Sequence, residues 1–168
     1  MRKIVYITII FSFAISLDFE SQQIADVEGK YQLAMKYRES KQVDSCLAQL
    51  FEIKDSYLKA NFDIASIYYQ EYKNYDIAIH FFNSIISKYE SSKDAAFLNN
   101  NLNIYKNSLF FLAYIYVNDL ELYTKGIKAY QKFIARFPED ELTDDAKHEL
   151  SSLNNEENKI KLLKNNLE

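Results

Sequence analysis

Two stretches of the chain carry apolar residues at helical spacing on either side of a short polar break. They cover residues 62–90 and 110–138 and align without gaps at an offset of 48 residues. Phe62, Ala65, Ile67, Tyr68, Tyr75, Ile79 and Ile86 match Phe110, Ala113, Ile115, Tyr116, Tyr123, Ile127 and Ile134. Most remaining differences keep their character: Ile64/Leu112, Ala78/Gly126, Phe82/Tyr130, Lys88/Arg136 and Tyr89/Phe137. Ala65 and Tyr68 are three apart and Ala78 and Phe82 four apart, so each pair shares one face of a helix. A polar turn, 71–74 in one copy and 118–121 in the other, separates the two helices. The pattern predicts two helical hairpins, in which small residues let antiparallel helices approach and aromatic residues fill the space beside them. One hairpin cannot bury its apolar side alone, so neighbours are expected to stack on it.

The flanking segments extend this pattern. Residues 91–107 predict a helix that extends or precedes the first helix of the second hairpin, with Asn99, Asn100 and Asn101 as a candidate break. Beyond Pro138, Glu139, Asp140, Glu141, Asp144 and Asp145 open another helix, where acidic residues favour the dipole. Leu142, Ala146, Leu150 and Leu153 give it an apolar stripe. Asn154 and Asn155 predict a break, and Ile160, Leu163 and Leu167 a last amphipathic helix that caps the array or frays.

Leu112-Ala113, Tyr116, Gly126, Tyr130 and Pro138 resemble the tetratricopeptide repeat, whose motif places a leucine–small pair, a tyrosine, a second small residue, an aromatic residue and a proline there. Both copies carry one extra residue in the internal turn, and Glu90 replaces the proline in the first. The offset also exceeds the motif's period of about 34 residues. A weaker, earlier copy places Ala34, Tyr37, Cys46, Leu50 and Ile53 at the corresponding positions, with Cys46 as a small packing residue. The resemblance implies an all-α fold, a right-handed solenoid of antiparallel helix hairpins. It would hold about three repeats, over 24–56, 57–90 and 106–138, and a C-terminal cap over 140–168. Residues 135–146 (ARFPEDELTDDA) resemble the repeat junction of exported bacterial envelope proteins. These include the helical lipoprotein of the outer-membrane barrel assembly machine and the periplasmic Tol-Pal coordinator, which scaffold envelope machines. This sequence departs from the lipoprotein members in having no cysteine after its N-terminal apolar run.

That N-terminal run reads as an address. Met1-Arg2-Lys3 is basic, and residues 4–15 are apolar except for Thr8 and Ser12. Ala14 and Ser16 supply small residues for a cleavage site, and Asp18 opens an acidic stretch. This tripartite pattern predicts a secretory signal over 1–16 and a helical repeat domain over 17–168. The run 4–17 falls short of the about 20 residues that a spanning helix needs, so no integral span is expected after cleavage.

Composition agrees with helices. Two glycines and one proline in 168 residues are too few for the frequent tight turns of a sheet. The formal charge of −4 contains no basic cluster, which argues against a nucleic-acid partner. Cys46, the one cysteine, can form neither an intramolecular disulfide nor a zinc site of four cysteines. His80 and His148 have no metal-ligand spacing, and His80 takes the slot of Lys128 in the next copy. Asp144-Asp145 and Glu156-Glu157 are sequence neighbours, about 100° apart on a helix, and do not face each other. No catalytic residue, cofactor or metal ion is expected.

The first helices of stacked hairpins line a concave groove. Counted from Ala34, Ala65 and Ala113, its positions hold Tyr31, Met35, Arg38, Phe62, Ser66, Tyr69, Phe110, Tyr114 and Val117. Aromatic residues there suit a peptide or helix of a protein partner. The competing role is packing against neighbouring helices, to which the Phe62/Phe110 pair is best suited. The expected function is a non-catalytic interaction scaffold or adaptor in the bacterial cell envelope, periplasmic or envelope-associated. The alternatives are an outer-membrane assembly component and a structural protein that self-associates as a homo-oligomer. When the full chain is expressed in a secreting bacterium, N-terminal sequencing of the exported form should begin at Leu17. Recovery only of a chain that retains residues 1–16 would overturn the cleavage site.

Overall fold

The computed structural model describes the backbone of residues 2–165 and the side chains of residues 21–153. Among them all regular structure is helical: α1 (Arg2–Glu39), α2 (Val43–Ile53), α3 (Leu58–Gln70), α4 (Tyr75–Ser91), α5 (Ala95–Tyr114), α6 (Tyr123–Arg136) and α7 (Leu142–Asn165). A π turn, Ile115–Asp119, continues α5. The chain forms two compact units, Met1–Ala60 and Asn61–Glu168, so that α3 gives residues 58–60 to the first and the rest to the second. α1 runs without interruption through the boundary expected after Ser16. Among the described residues, no helix is long and apolar enough to cross a membrane.

Three helix pairs are joined without glycine. Lys41, Lys73 and Glu121 instead take the left-handed conformation, at φ 58, 51 and 54. For residues with a Cβ this costs about 1–2 kcal/mol each. The next residue then donates its backbone N–H to a tyrosine carbonyl: Gln42 to Tyr37 at 2.8 Å, Asn74 to Tyr68 at 2.9 Å and Leu122 to Tyr116 at 2.7 Å. These are the three tyrosines that the repeat alignment equates. The hydrogen bond closes over one residue more in the second and third turns, which is the extra residue seen in the sequence. In the third turn the helix itself widens to take it up, and Leu120 N–H donates to Ile115 O at 3.1 Å. Asn118 and Asp119, expected in the polar turn, therefore remain helical.

In the first unit α1 packs on α2 through Ala34, Cys46 and Leu50, each with no exposed surface, and through Leu47 and Ile53. Cys46 is thus a buried thiol at the small-residue position. Tyr31 sets its ring edge-on to Tyr57 at 5.1 Å, and the Lys59 ammonium lies 4.7 Å from the Tyr31 ring centre.

The second unit is joined by rings. Phe62 meets Phe82 at 5.6 Å and Phe111 at 6.0 Å. Phe110 meets Tyr130 at 5.7 Å and Phe133 at 5.5 Å. Phe133 leads to Phe137, and Phe137 to Tyr105. Tyr105 stacks on Tyr89 at 4.1 Å with the planes only 6° apart. Its hydroxyl donates to Glu90 Oε1 at 2.6 Å, and Lys132 pairs with the same oxygen at 2.7 Å. Burial pushes the Glu90 carboxyl up, but Lys132 and Tyr105 outweigh it and hold its pKa below the usual carboxylate range. Lys106 and Asp140, both mostly buried, pair at 2.6 Å and fix α5 to the start of α7. Asp140 Oδ1 also accepts from Leu142 N–H.

Two expected breaks do not occur. Asn99, Asn100 and Asn101 lie inside α5. Asp94 caps this helix by accepting from Ala96 and Phe97 N–H, and Asn101 Nδ2 donates to the Phe97 carbonyl. α7 likewise runs through Asn154 and Asn155. Asparagine in a helix costs about 0.7 kcal/mol or less, too little to break one docked through Thr143, Ala146 and Leu153.

The small-residue position of the last hairpin is the tightest point. A Cβ placed on Gly126 would stand 2.2 Å from Val117 Cγ2 and 3.4 Å from the Ala113 carbonyl oxygen. Val117 is buried and stiff at χ1, so it cannot swing aside. Gly126→Ala should therefore destabilise the protein, by about 1–3 kcal/mol from overpacking, despite the better helix propensity of alanine. Urea unfolding of Gly126→Ala, Val117→Ala and the double variant tests this: the double variant should recover most of the loss caused by Gly126→Ala. Additive losses would overturn the contact.

Candidate functional site

The nine residues expected along one groove divide between the two units, and the structure gives them different tasks. In the first unit Tyr31 is 4% exposed and belongs to the core. Met35 and Arg38 are half-buried on α1. In the second unit Phe62 and Phe110 are half-buried members of the ring network. Val117 is 5% exposed and lies against Gly126. Ser66 donates its hydroxyl to the Phe62 carbonyl at 2.8 Å, within its own helix.

Tyr69 and Tyr114 remain. Tyr69 is half-buried near the end of α3, and Tyr114, at the end of α5, is 37% exposed. The Tyr69 ring lies 6.0 Å from the ring of Tyr75, the first residue of α4, at an angle of 49°. The Lys73 ammonium sits 5.6 Å from the Tyr69 ring centre. Asp119, last residue of the π turn, interacts with the hydroxyls of both Tyr69 and Tyr75. Its Oδ2 is nonetheless buried with no hydrogen-bond partner. Burial, then the charge of Asp119, pushes the Tyr69 hydroxyl up to about 12. Tyr114 contributes to that shift too.

Tyr130, on α6, has no exposed surface, and its hydroxyl has no hydrogen-bond partner either. Burial, and then Glu149, Tyr114 and Asp145, raise its pKa above the ordinary phenol range. Tyr114 thus contributes to the shifts of both Tyr69 and Tyr130.

Of these, Asp119, Tyr75 and Tyr130 are absent from the sequence-derived set. Asp119 aligns with Glu71, so it looks like one more acidic turn residue. Tyr130 aligns with Phe82 in the other copy. That substitution is the legible signal: the same buried slot gains a hydroxyl in one repeat only. His80 is exposed and edge-on to Phe81 at 5.4 Å, and His148 is exposed on α7. Among the described residues, no group of three His, Cys, Asp or Glu side chains could hold a metal ion.

No family model matches the chain, and no curated protein matches it.

The raised pKa of Tyr69 has a consequence for stability. Between about pH 10, where an unfolded tyrosine ionises, and about 12, the folded chain keeps a proton that the unfolded chain releases. Stability is therefore present below that window and declines as pH rises through it. Thermal melts of wild type and Tyr69→Phe across this range should show a shallower decline in the variant. Equal slopes would overturn the shift.

Proposed function

We propose that this protein is a non-catalytic interaction scaffold, exported to the bacterial cell envelope, that holds a segment of a partner protein on its second unit. The observation that carries this reading is the pairing of Tyr69 and Tyr114. They come from the two first helices of the aligned hairpins, Tyr114 37% exposed and Tyr69 half-buried. Tyrosine offers a large, rigid, amphipathic contact area, which is what hot spots of protein recognition use. Three further features support it: the N-terminal signal pattern, the repeated hairpin turn closed on Tyr37, Tyr68 and Tyr116, and the resemblance to tetratricopeptide repeats of envelope scaffolds. On this reading the hairpins stack as a right-handed solenoid, capped by α7, and the partner lies along the first helices.

Crosslinking of the full chain in its native envelope, followed by identification of the attached chains, defines the partner set. Tyr69→Ala/Tyr114→Ala should lose most of that recovery while keeping the helical circular-dichroism signal. Unchanged recovery by the folded double variant would falsify the assignment of this face.

A further inference from the structure

The apolar stripe of α1 outruns the helix that covers it. Tyr31 and Ala34, on this stripe, are buried in the core of the first unit. Seven residues before them, at the same register, stand Ile24 and Val27, and seven before Ile24 stands Leu17. α2 has only 11 residues, about 16 Å of helix. Lys30 pairs with Glu52 at 3.2 Å, so the last turn of α2 lies beside residue 30 of α1. Past that point Ile24 is 65% exposed and Val27 half-buried. Gln23, Ile24, Val27, Glu28, Ser56 and Tyr57 line an open cavity there of about 290 Å³.

The charge around this stripe has one sign. Residues 17–28 hold Asp18, Glu20, Asp26 and Glu28 and no lysine or arginine. Glu28 accepts from Gln32 at 2.7 Å and from Tyr57 at 3.2 Å. Both donors are neutral, so these bonds orient its charge without cancelling it. Asp26 shares Lys30 with Glu52. An apolar floor with an acidic rim suits a helix whose apolar face is flanked by cations.

The same sequence contains such a helix. α7 runs on to Asn165. Residues 159–167 carry Ile160, Leu163 and Leu167 at the spacing of one helix face, with Lys159, Lys161 and Lys164 among them and no acidic residue. Their side chains lie outside the described residues. Each molecule thus offers one acidic stripe and one basic stripe, and two copies can close two identical contacts.

We propose that α1 of one molecule receives residues 159–167 of a second copy. Ile160 and Leu163 enter the cavity beside Ile24, Val27 and Tyr57, and the lysines face Asp26 and Glu28. Reciprocal docking closes a dimer. The contact uses none of the residues on which a partner segment is proposed to bind, so either reading can fail alone.

Sedimentation of the exported full chain over a range of concentrations should show a monomer–dimer equilibrium. Two charge-reversed variants test the pairing: Asp26→Lys/Glu28→Lys, and Lys159→Glu/Lys161→Glu/Lys164→Glu. Each should keep the helical circular-dichroism signal and weaken self-association by about tenfold or more, because like charges then meet. An equimolar mixture of the two should restore association, as each molecule again meets the opposite charge. Ile24→Asp, at an exposed position, should weaken the dimer independently of these charges. A strict monomer at every concentration overturns the proposal. Association unmoved by either reversal or by Ile24→Asp overturns it as well, and so does a loss that mixing leaves unrestored.

Discussion

Tyr105 is the contact on which the second unit depends. Its ring lies flat on Tyr89 at the end of α4 and tilted on Phe137 just past α6. Its hydroxyl reaches Glu90, which also holds Lys132 of α6. Tyr89 and Phe137 are equivalent residues of the two hairpins, so one side chain from the intervening segment binds the same position of both. Each aromatic pair adds about 0.5–1.5 kcal/mol beyond the area it buries. The added residues form the first part of α5 and carry Tyr105, the first buried residue of that helix, into the core. Tyr105 also explains why Glu90 stands where the other copy has Pro138. A carboxylate there accepts from α5 and pairs with α6, which proline could not do.

The hairpin turns follow from a second constraint. With one glycine in each unit, the chain has none for its turns. Gly126 is committed to a helix interior, where Val117 leaves no room for a Cβ. Lysine and glutamate must therefore take the left-handed conformation at Lys41, Lys73 and Glu121. Packing of the helices offsets the strain; in the last pair it sets Gly126 against Ala113. The π turn at Ile115–Asp119 belongs to the same solution. It absorbs one residue without lengthening the loop, and it carries Asp119 into the half-buried position from which it faces Tyr69 and Tyr75.

The sequence by itself determined the helical class and the buried small residues. These depend on local periodicity and on side-chain volume, and both are written along the chain. The buried residues Ala34, Cys46, Ala65, Ala78, Ala113 and Gly126 stand where spacing placed them. It also singled out Tyr69 and Tyr114 by their register on the first helices. Only the tertiary structure decided which of the first-helix positions are buried. Tyr31 and Val117 share the register of their neighbours but are covered, one under Tyr57 and Lys59, the other by the approach of Gly126. The asparagine runs read as breaks because propensity was judged alone; capping by Asp94 and docking of α7 outweigh it. Asp119 and Tyr130 were hidden for a further reason. Each has a side-chain oxygen buried without a hydrogen-bond partner, and that condition has no signature in sequence until packing has closed around it.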